Sequence, residues 1–211
     1  MHLQLGHRHS IFCIVPDTVL RQIAETGTEE ERKAALDALA AASTFRTARA
    51  IRLAAPVAPA SPATASLAAA VGTGEAKQLQ RTIFDCHNSR SLPGDPVRTE
   101  GAPTTGDPAM DEAYDGLGTT YDFYWESLGR NSIDDQGMTL NGHVHYGSRF
   151  NNAFWDGQRM VFGDGDGVLF NRFTIAIDIM GHELTHGVTG YGKPGRRGRD
   201  GRSKAATAHH I

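Results

Sequence analysis

The chain has 211 residues, enough for one large domain or two small ones, and its 39% hydrophobic and 21% charged content is ordinary for a soluble globular protein. A net charge of -3 gives no electrostatic reason to expect nucleic acid or an anionic membrane as partner, and no apolar run approaches the roughly 20 residues that span a bilayer. The cysteines Cys13 and Cys86 make no disulfide framework and read as unpaired thiols.

The N-terminal stretch MHLQLGHRHSIFCIVP is a poor signal peptide, because its apolar part is short and Pro16 and Asp17 follow it. Residues 1–55 read as a small helical unit. Pro16 suits a first turn, Val19, Leu20 and Ile23 recur at helical spacing, and Gly27 ends the run. Thr28 with Glu31 reads as a capping box opening a second short helix, with Ala35, Leu36 and Leu39 on one face. Residues 56–77 are rich in Pro, Ala, Ser and Gly, with no charge until Glu75, and are expected to form a flexible linker open to cleavage.

Residues 78–190 carry the signals of a folded lobe. A strand is predicted over 79–84, a loop over 88–108, and an amphipathic helix over 110–128 with Ala113, Leu117, Tyr121, Tyr124 and Leu128 on its buried face, despite Gly116 and Gly118. Strands are predicted over 143–146 and 159–162, joined by a loop through Asn151 and Asp156. His143 and His145 then share one strand face, where a structural role outweighs a metal site. The GDGDG run at 163–167 reads as a turn into a helix rather than a cation loop, and the helix is expected from Thr174, with Ile175, Ile179, His182 and His186 on one stripe. From 191 to 211 no apolar period survives; this tail is expected to be disordered or a frameshift product, with a genuine evolved tail as the rival.

His182-Glu183-Leu184-Thr185-His186 matches H-E-x-x-H. Four residues apart on a helix, the two imidazoles lie one turn above each other and can reach one zinc ion, with Glu183 beside them as a base for the attacking water.

Around that motif lie Tyr146-Gly147, Asn151-Asn152-Ala153-Phe154-Trp155-Asp156-Gly157, Met160 to Gly167, and Gly181 to Thr189. In this order they resemble the central block of the thermolysin-like (M4) zinc metallopeptidases, specifically the protealysin-like branch; Arg81 to Asp85 resembles it more loosely. Cys13-Ile14-Val15-Pro16 is similar to the short propeptide of that branch. The resemblance implies an α+β fold: a thermolysin-like N-terminal catalytic lobe, β-rich with the H-E-x-x-H helix, behind a small helical propeptide in contact with it, and with the C-terminal helical lobe absent. It implies a secreted neutral metalloendopeptidase precursor, cytoplasmic location being the alternative, that cuts peptide bonds before large apolar residues.

The same resemblance implies roles. His182 and His186 are zinc ligands and Glu183 the general base. Asn152 and Ala153 hold substrate backbone, and Phe170, Phe173 and Ile179 line an apolar substrate pocket. Asp178 matches a calcium ligand. Thiolate chemistry, apart from the resemblance, makes Cys13 a candidate inhibitory cap on the zinc, with an ordinary packed cysteine as the alternative. The family's third zinc ligand, a Glu in Asn-Glu-x-x-x-Asp about twenty residues after the second His, has no counterpart here; Asp200 is the last acid, and His209 and His210 are poor substitutes. The chain as written is therefore expected to be inactive, with a non-catalytic peptide-binding or inhibitory module as the alternative function.

Overall fold

A computed structural model of the chain describes residues 14–54 and 77–191. Cys13, the linker up to residue 76 and the tail after Tyr191 lie outside the described residues. The described part is α+β, as expected: α1 (Asp17–Thr26) and α2 (Glu29–Ala54), then β1 (Arg81–Asp85), β2 (Asp95–Thr99), α3 (Pro108–Leu128), β3 (Leu140–Val144), β4 (Ala153–Trp155), β5 (Met160–Phe162) and α4 (Ile177–Tyr191).

The predicted capping box closes α2: the Thr28 N–H donates to Glu31 Oε2 at 2.7 Å, and the Glu31 N–H donates to the Thr28 hydroxyl at 3.3 Å. The helix is not short, however; it runs 26 residues. Its buried face is Ala35, Ala38, Ala41, Ala42 and Arg49, whereas the predicted Leu36 is 53% exposed. Small alanines let α1 approach closely, and Asp17 pairs with Arg46 across the hairpin at 3.1 Å.

The sheet runs β2-β1-β3-β5-β4, with β1, β3 and β5 parallel and the two edge strands antiparallel to their neighbours. Strand β2 falls inside the stretch predicted as loop. Its side chains are exposed except at Arg98, so it has no alternation to read, and pairing with β1 alone defines it. Strand β4 likewise replaces a predicted loop. Its alternation puts neighbouring side chains on opposite helices: Ala153 and Trp155 face α4, while Phe154 faces α2.

Helix α3 covers β1 and β3 through Ala113, Leu117 and Tyr121, all buried, while Leu128 at the helix end is exposed. A Cβ at Gly116 would overlap the Met180 thioether of α4, so the mid-helix glycine is where the two helices meet closely. Arg81 chelates Glu100 at 2.6 and 2.7 Å and stacks over Tyr114, tying β1 to α3.

His143 and His145 do not share a site. His143 is buried, stacks on Phe84 and donates from Nδ1 to the Pro93 carbonyl; burial pushes its pKa down to about 4. His145 lies past the end of β3 with φ 51°, hydrogen-bonded to Asp164 at 2.8 Å and 3.4 Å from Asp107. The Asp164 carboxylate raises its pKa to about 9.

A histidine raised above its unfolded value of about 6.5 adds stability that is full below that pH and is lost as pH rises through about 9. Between pH 6 and pH 9.5, the melting temperature should therefore fall further for the native chain than for His145→Gln. Parallel decreases would show that His145 contributes nothing to the pH dependence.

Candidate metal centre

Helix α4 begins at Ile177, three residues later than the sequence pattern predicts, because the segment before it is committed elsewhere. Asp166 accepts N–H bonds from Val168, Leu169 and Phe170, so the GDGDG run closes on itself as a turn and does not lead directly into a helix. Arg172 and Thr174 then bond to Glu112 of α3 at 2.6 to 2.8 Å. This clamp carries the chain from the turn to the first turn of α4. Ile175 stays outside the helix and half exposed, so the predicted stripe loses its first member.

On α4 the motif residues take three environments. His182 is exposed, His186 is half-buried and Glu183 is fully buried against β4. The Trp155 N–H, on the outward edge of β4, donates to Glu183 Oε2 at 2.9 Å, and Oε1 is buried with no hydrogen-bond partner among protein groups. Burial pushes the Glu183 pKa up to about 7, against the opposing pull of the Trp155 N–H and of Arg49. On the other side of α4, Thr185 bonds to Tyr124 of α3 at 2.6 Å, which fixes the helix between α3 and the sheet.

The Nε2 atoms of His182 and His186 are 3.1 Å apart, with ring planes near perpendicular at 86°. Zinc–nitrogen bonds of 2.0–2.1 Å at a tetrahedral angle require a separation of about 3.3 Å. The two imidazoles therefore have the bite of a zinc chelate, and a Glu183 carboxylate oxygen completes a group whose ligand atoms all fall within 4.8 Å of one another. Among the described residues this is the group of His, Cys, Asp or Glu that fits an ion; Asp178, exposed at the start of α4, is not part of it.

The other residues singled out by sequence are spread around this centre. Asn152 and Ala153 are fully buried at the start of β4, and the Asn152 side-chain oxygen accepts the Ala153 N–H at 2.9 Å. Phe173 is buried and stacks on the half-buried Phe170 with ring centroids 5.8 Å apart. Ile179, also half-buried, packs against the same core. Sequence reasoning missed the neighbours on α2. Phe45 stacks on Phe154 at 3.5 Å, Arg49 reaches the Trp155 carbonyl, and Arg52 pairs with Asp156 at 2.7 Å. Only the i, i+4, i+7 spacing of those three residues offered a signal.

A twisted mixed sheet backed by a helix with two converging imidazoles and a buried glutamate is the architecture of a His-Glu-x-x-His metal-site protein. Comparisons narrow the class. The thermolysin metallopeptidase catalytic-domain profile matches residues 74–190. An extracellular metalloprotease of Pectobacterium carotovorum subsp. carotovorum is 44% identical over 179 residues, 85% of this chain and 47% of that protein. Protease PrtS of Photorhabdus is 56% identical over 110 residues, 52% of this chain and 30% of that protein. The solved precursor of protealysin, a metalloproteinase from Serratia proteamaculans, is similar with a TM-score of 0.67 at 45% identity, covering 85% of this chain and 47% of that one. The chain belongs to the thermolysin (M4) metallopeptidase family, and it spans less than half the length of these relatives.

Proposed function

We propose that the chain is part of a zinc-dependent neutral metalloendopeptidase precursor, secreted like its extracellular relative, that cleaves peptide bonds before large apolar residues. The carrying observation is the 3.1 Å convergence of the His182 and His186 Nε2 atoms beside a buried glutamate. Those two histidines would hold the zinc, which when bound supplies Lewis-acid polarisation of a carbonyl and lowers the pKa of water. Glu183 takes the role of base. Its Oε2 is anchored to the Trp155 N–H while Oε1 has its proton-accepting capacity unused, and its raised pKa suits proton transfer near neutrality.

Substrate would add to the outward edge of β4 beside Asn152 and Ala153, by β-augmentation. The stacked Phe170 and Phe173, with Ile179, supply an apolar wall for the residue after the scissile bond. Residues 1–55 act as the prosegment, 56–77 as its linker and 78–190 as the catalytic lobe, with Cys13 as a candidate inhibitory thiolate and Asp178 as a candidate calcium ligand. A catalytic zinc site takes three protein ligands, and the described residues supply two histidines. By itself the chain is therefore expected to bind zinc weakly and to turn over little.

The test is hydrolysis of a quenched-fluorescence peptide with Phe or Leu after the scissile bond, by the full chain. Residual cleavage should vanish with chelator, return with zinc, and be absent from Glu183→Gln. Peptide binding indifferent to chelator and to Glu183→Gln, without cleavage, would instead establish the non-catalytic binding module.

A further inference from the structure

The residues of the proposed apolar wall lie along one stretch of chain, and a single carboxylate on α3 grips that stretch. Phe170 and Phe173 precede α4, and Ile179 is in its first turn. Between them Glu112 takes Arg172 in a two-point pair: Oε2 accepts from Nε at 2.8 Å and Oε1 from Nη2 at 2.6 Å. Oε2 also accepts from the Thr174 hydroxyl at 2.7 Å. The two residues held by Glu112 therefore bracket Phe173.

The rest of the segment converges on the same end of α3. After β5 the chain closes as a loop, with the Phe173 N–H donating to the Gly163 carbonyl at 3.0 Å and the Gly167 N–H to the Phe170 carbonyl at 2.9 Å. Asp164, at the start of the loop, bonds to His145, whose other ring nitrogen faces Asp107. Asp107 is the N-cap of α3 and accepts from the Met110 N–H. Asp107 and Asp164 also add their negative charge around the Arg172 guanidinium. Both ends of the wall segment are thus tied to the first two turns of α3.

The Glu112 contacts are better suited to fixing a position than to holding the lobe together. The Glu112 and Arg172 side chains are 30% and 34% exposed, where solvent screens an ion pair. The ring they bracket is buried and stacked on Phe170. On the far side Ile175 and Ile177 stand half exposed, so packing there does little to fix the segment. An apolar pocket gains little from each added methylene, so it selects by size only if its walls stay in place.

We propose that Glu112 is a positioning residue for substrate selection: by holding Arg172 and Thr174 it fixes the Phe170–Phe173 wall and sets how strongly the pocket prefers large aliphatic side chains over small ones. This rests on reading that wall as the pocket for the residue after the scissile bond. Glu112 acts through the segment it holds and not by contact with substrate. A loosened wall grips a large side chain less well and leaves a small one unaffected.

The probe is leucine amide, compared with alanine amide; each resembles the N-terminal residue that cleavage would leave on the product. Binding to the full chain is followed by NMR titration with chelator present, so that neither metal nor turnover enters. The native chain should prefer leucine amide by about 10-fold or more. Glu112→Ala should cut that preference to about 3-fold or less, by weakening leucine amide alone. Arg172→Ala and the double variant should give the same ratio within about 2-fold, because the two residues act through one contact. Asp122→Asn, which breaks the exposed Lys77 pair farther along α3, should leave the ratio unchanged. Amide exchange at Phe173 should quicken by about 10-fold in Glu112→Ala, while the melting temperature falls by no more than about 5 °C. A native ratio retained by Glu112→Ala, or unchanged exchange at Phe173, overturns the proposal. So does a much larger fall in melting temperature, which would make Glu112 a structural tie. A native chain that does not discriminate between the amides fails the pocket reading and the proposal with it. Faster exchange at Phe173 in Glu112→Ala would then separate a working clamp from a misassigned pocket.

Discussion

His182→Ala is expected to weaken zinc binding by more than about 100-fold, beyond the loss that follows removal of a merely supporting partner. The reason is geometric. The described residues offer two imidazole nitrogens 3.1 Å apart, and removing one leaves a single neutral ligand on a helix surface. His182 is exposed, so its truncation should leave stability within about 0.5 kcal/mol. Competition with a chromophoric chelator gives the affinity, and a melting curve gives the control. Glu183→Gln is the informative partner. It keeps both imidazoles, so zinc affinity should change by less than about 10-fold, while any hydrolysis falls by about 100-fold or more. Equal losses of zinc in the two variants would place Glu183 among the ligands and remove it as a base.

Gly165→Ala is expected to destabilise the lobe by about 3 kcal/mol, combining left-handed strain with overpacking. Gly165 has φ +73°, and its N–H donates to the Phe150 carbonyl at 3.1 Å. A Cβ there would fall 2.6 Å from the Asn171 carbonyl oxygen and closer still to that of Phe170. Both obstacles are backbone and cannot swing aside. For a lobe of this size the melting temperature should drop by roughly 10–20 °C. Gly167→Ala separates the causes, since Gly167 shares the conformation at φ +72° but nothing lies near its missing Cβ. Its loss should stay near about 1 kcal/mol, the backbone strain alone. If both variants lose the same amount, close approach of the turn to the Phe170 segment has no energetic weight. A displaced turn would also carry Phe170 with it, linking this stability effect to the proposed apolar pocket.

What could be read in the sequence was what is local in the chain. The Thr28–Glu31 capping box, the Gly27 stop and the His182–His186 spacing depend on neighbours a turn away, and each appears in the structure where the pattern put it. Strand β2 escaped because Asp95 and Pro96 carry loop composition and only β1 supplies its hydrogen bonds. The buried face of α2 escaped because alanine, rather than Leu36, makes the close contacts, and alanine hardly marks a periodicity. The motif located Glu183 but not its full burial, which needs β4 folded against α4. The Arg49 and Arg52 contacts were out of reach of any window, since their partners lie more than a hundred residues along the chain.

That separation sets a schedule for synthesis. The Arg49 guanidinium leaves the ribosome 106 residues before the Trp155 carbonyl that it will hold. At about 5–20 residues per second, the wait is roughly 5–20 s. Helices and their hairpins form in microseconds, so α1 and α2 have time to pair long before the sheet exists. The α2 face with Phe45 then meets each strand of the sheet as it emerges and finds its seat only when β4 and β5 have closed. A ribosome stalled between Asp122 and Ala153 would thus display a formed helical hairpin with its docking face still open to chaperones.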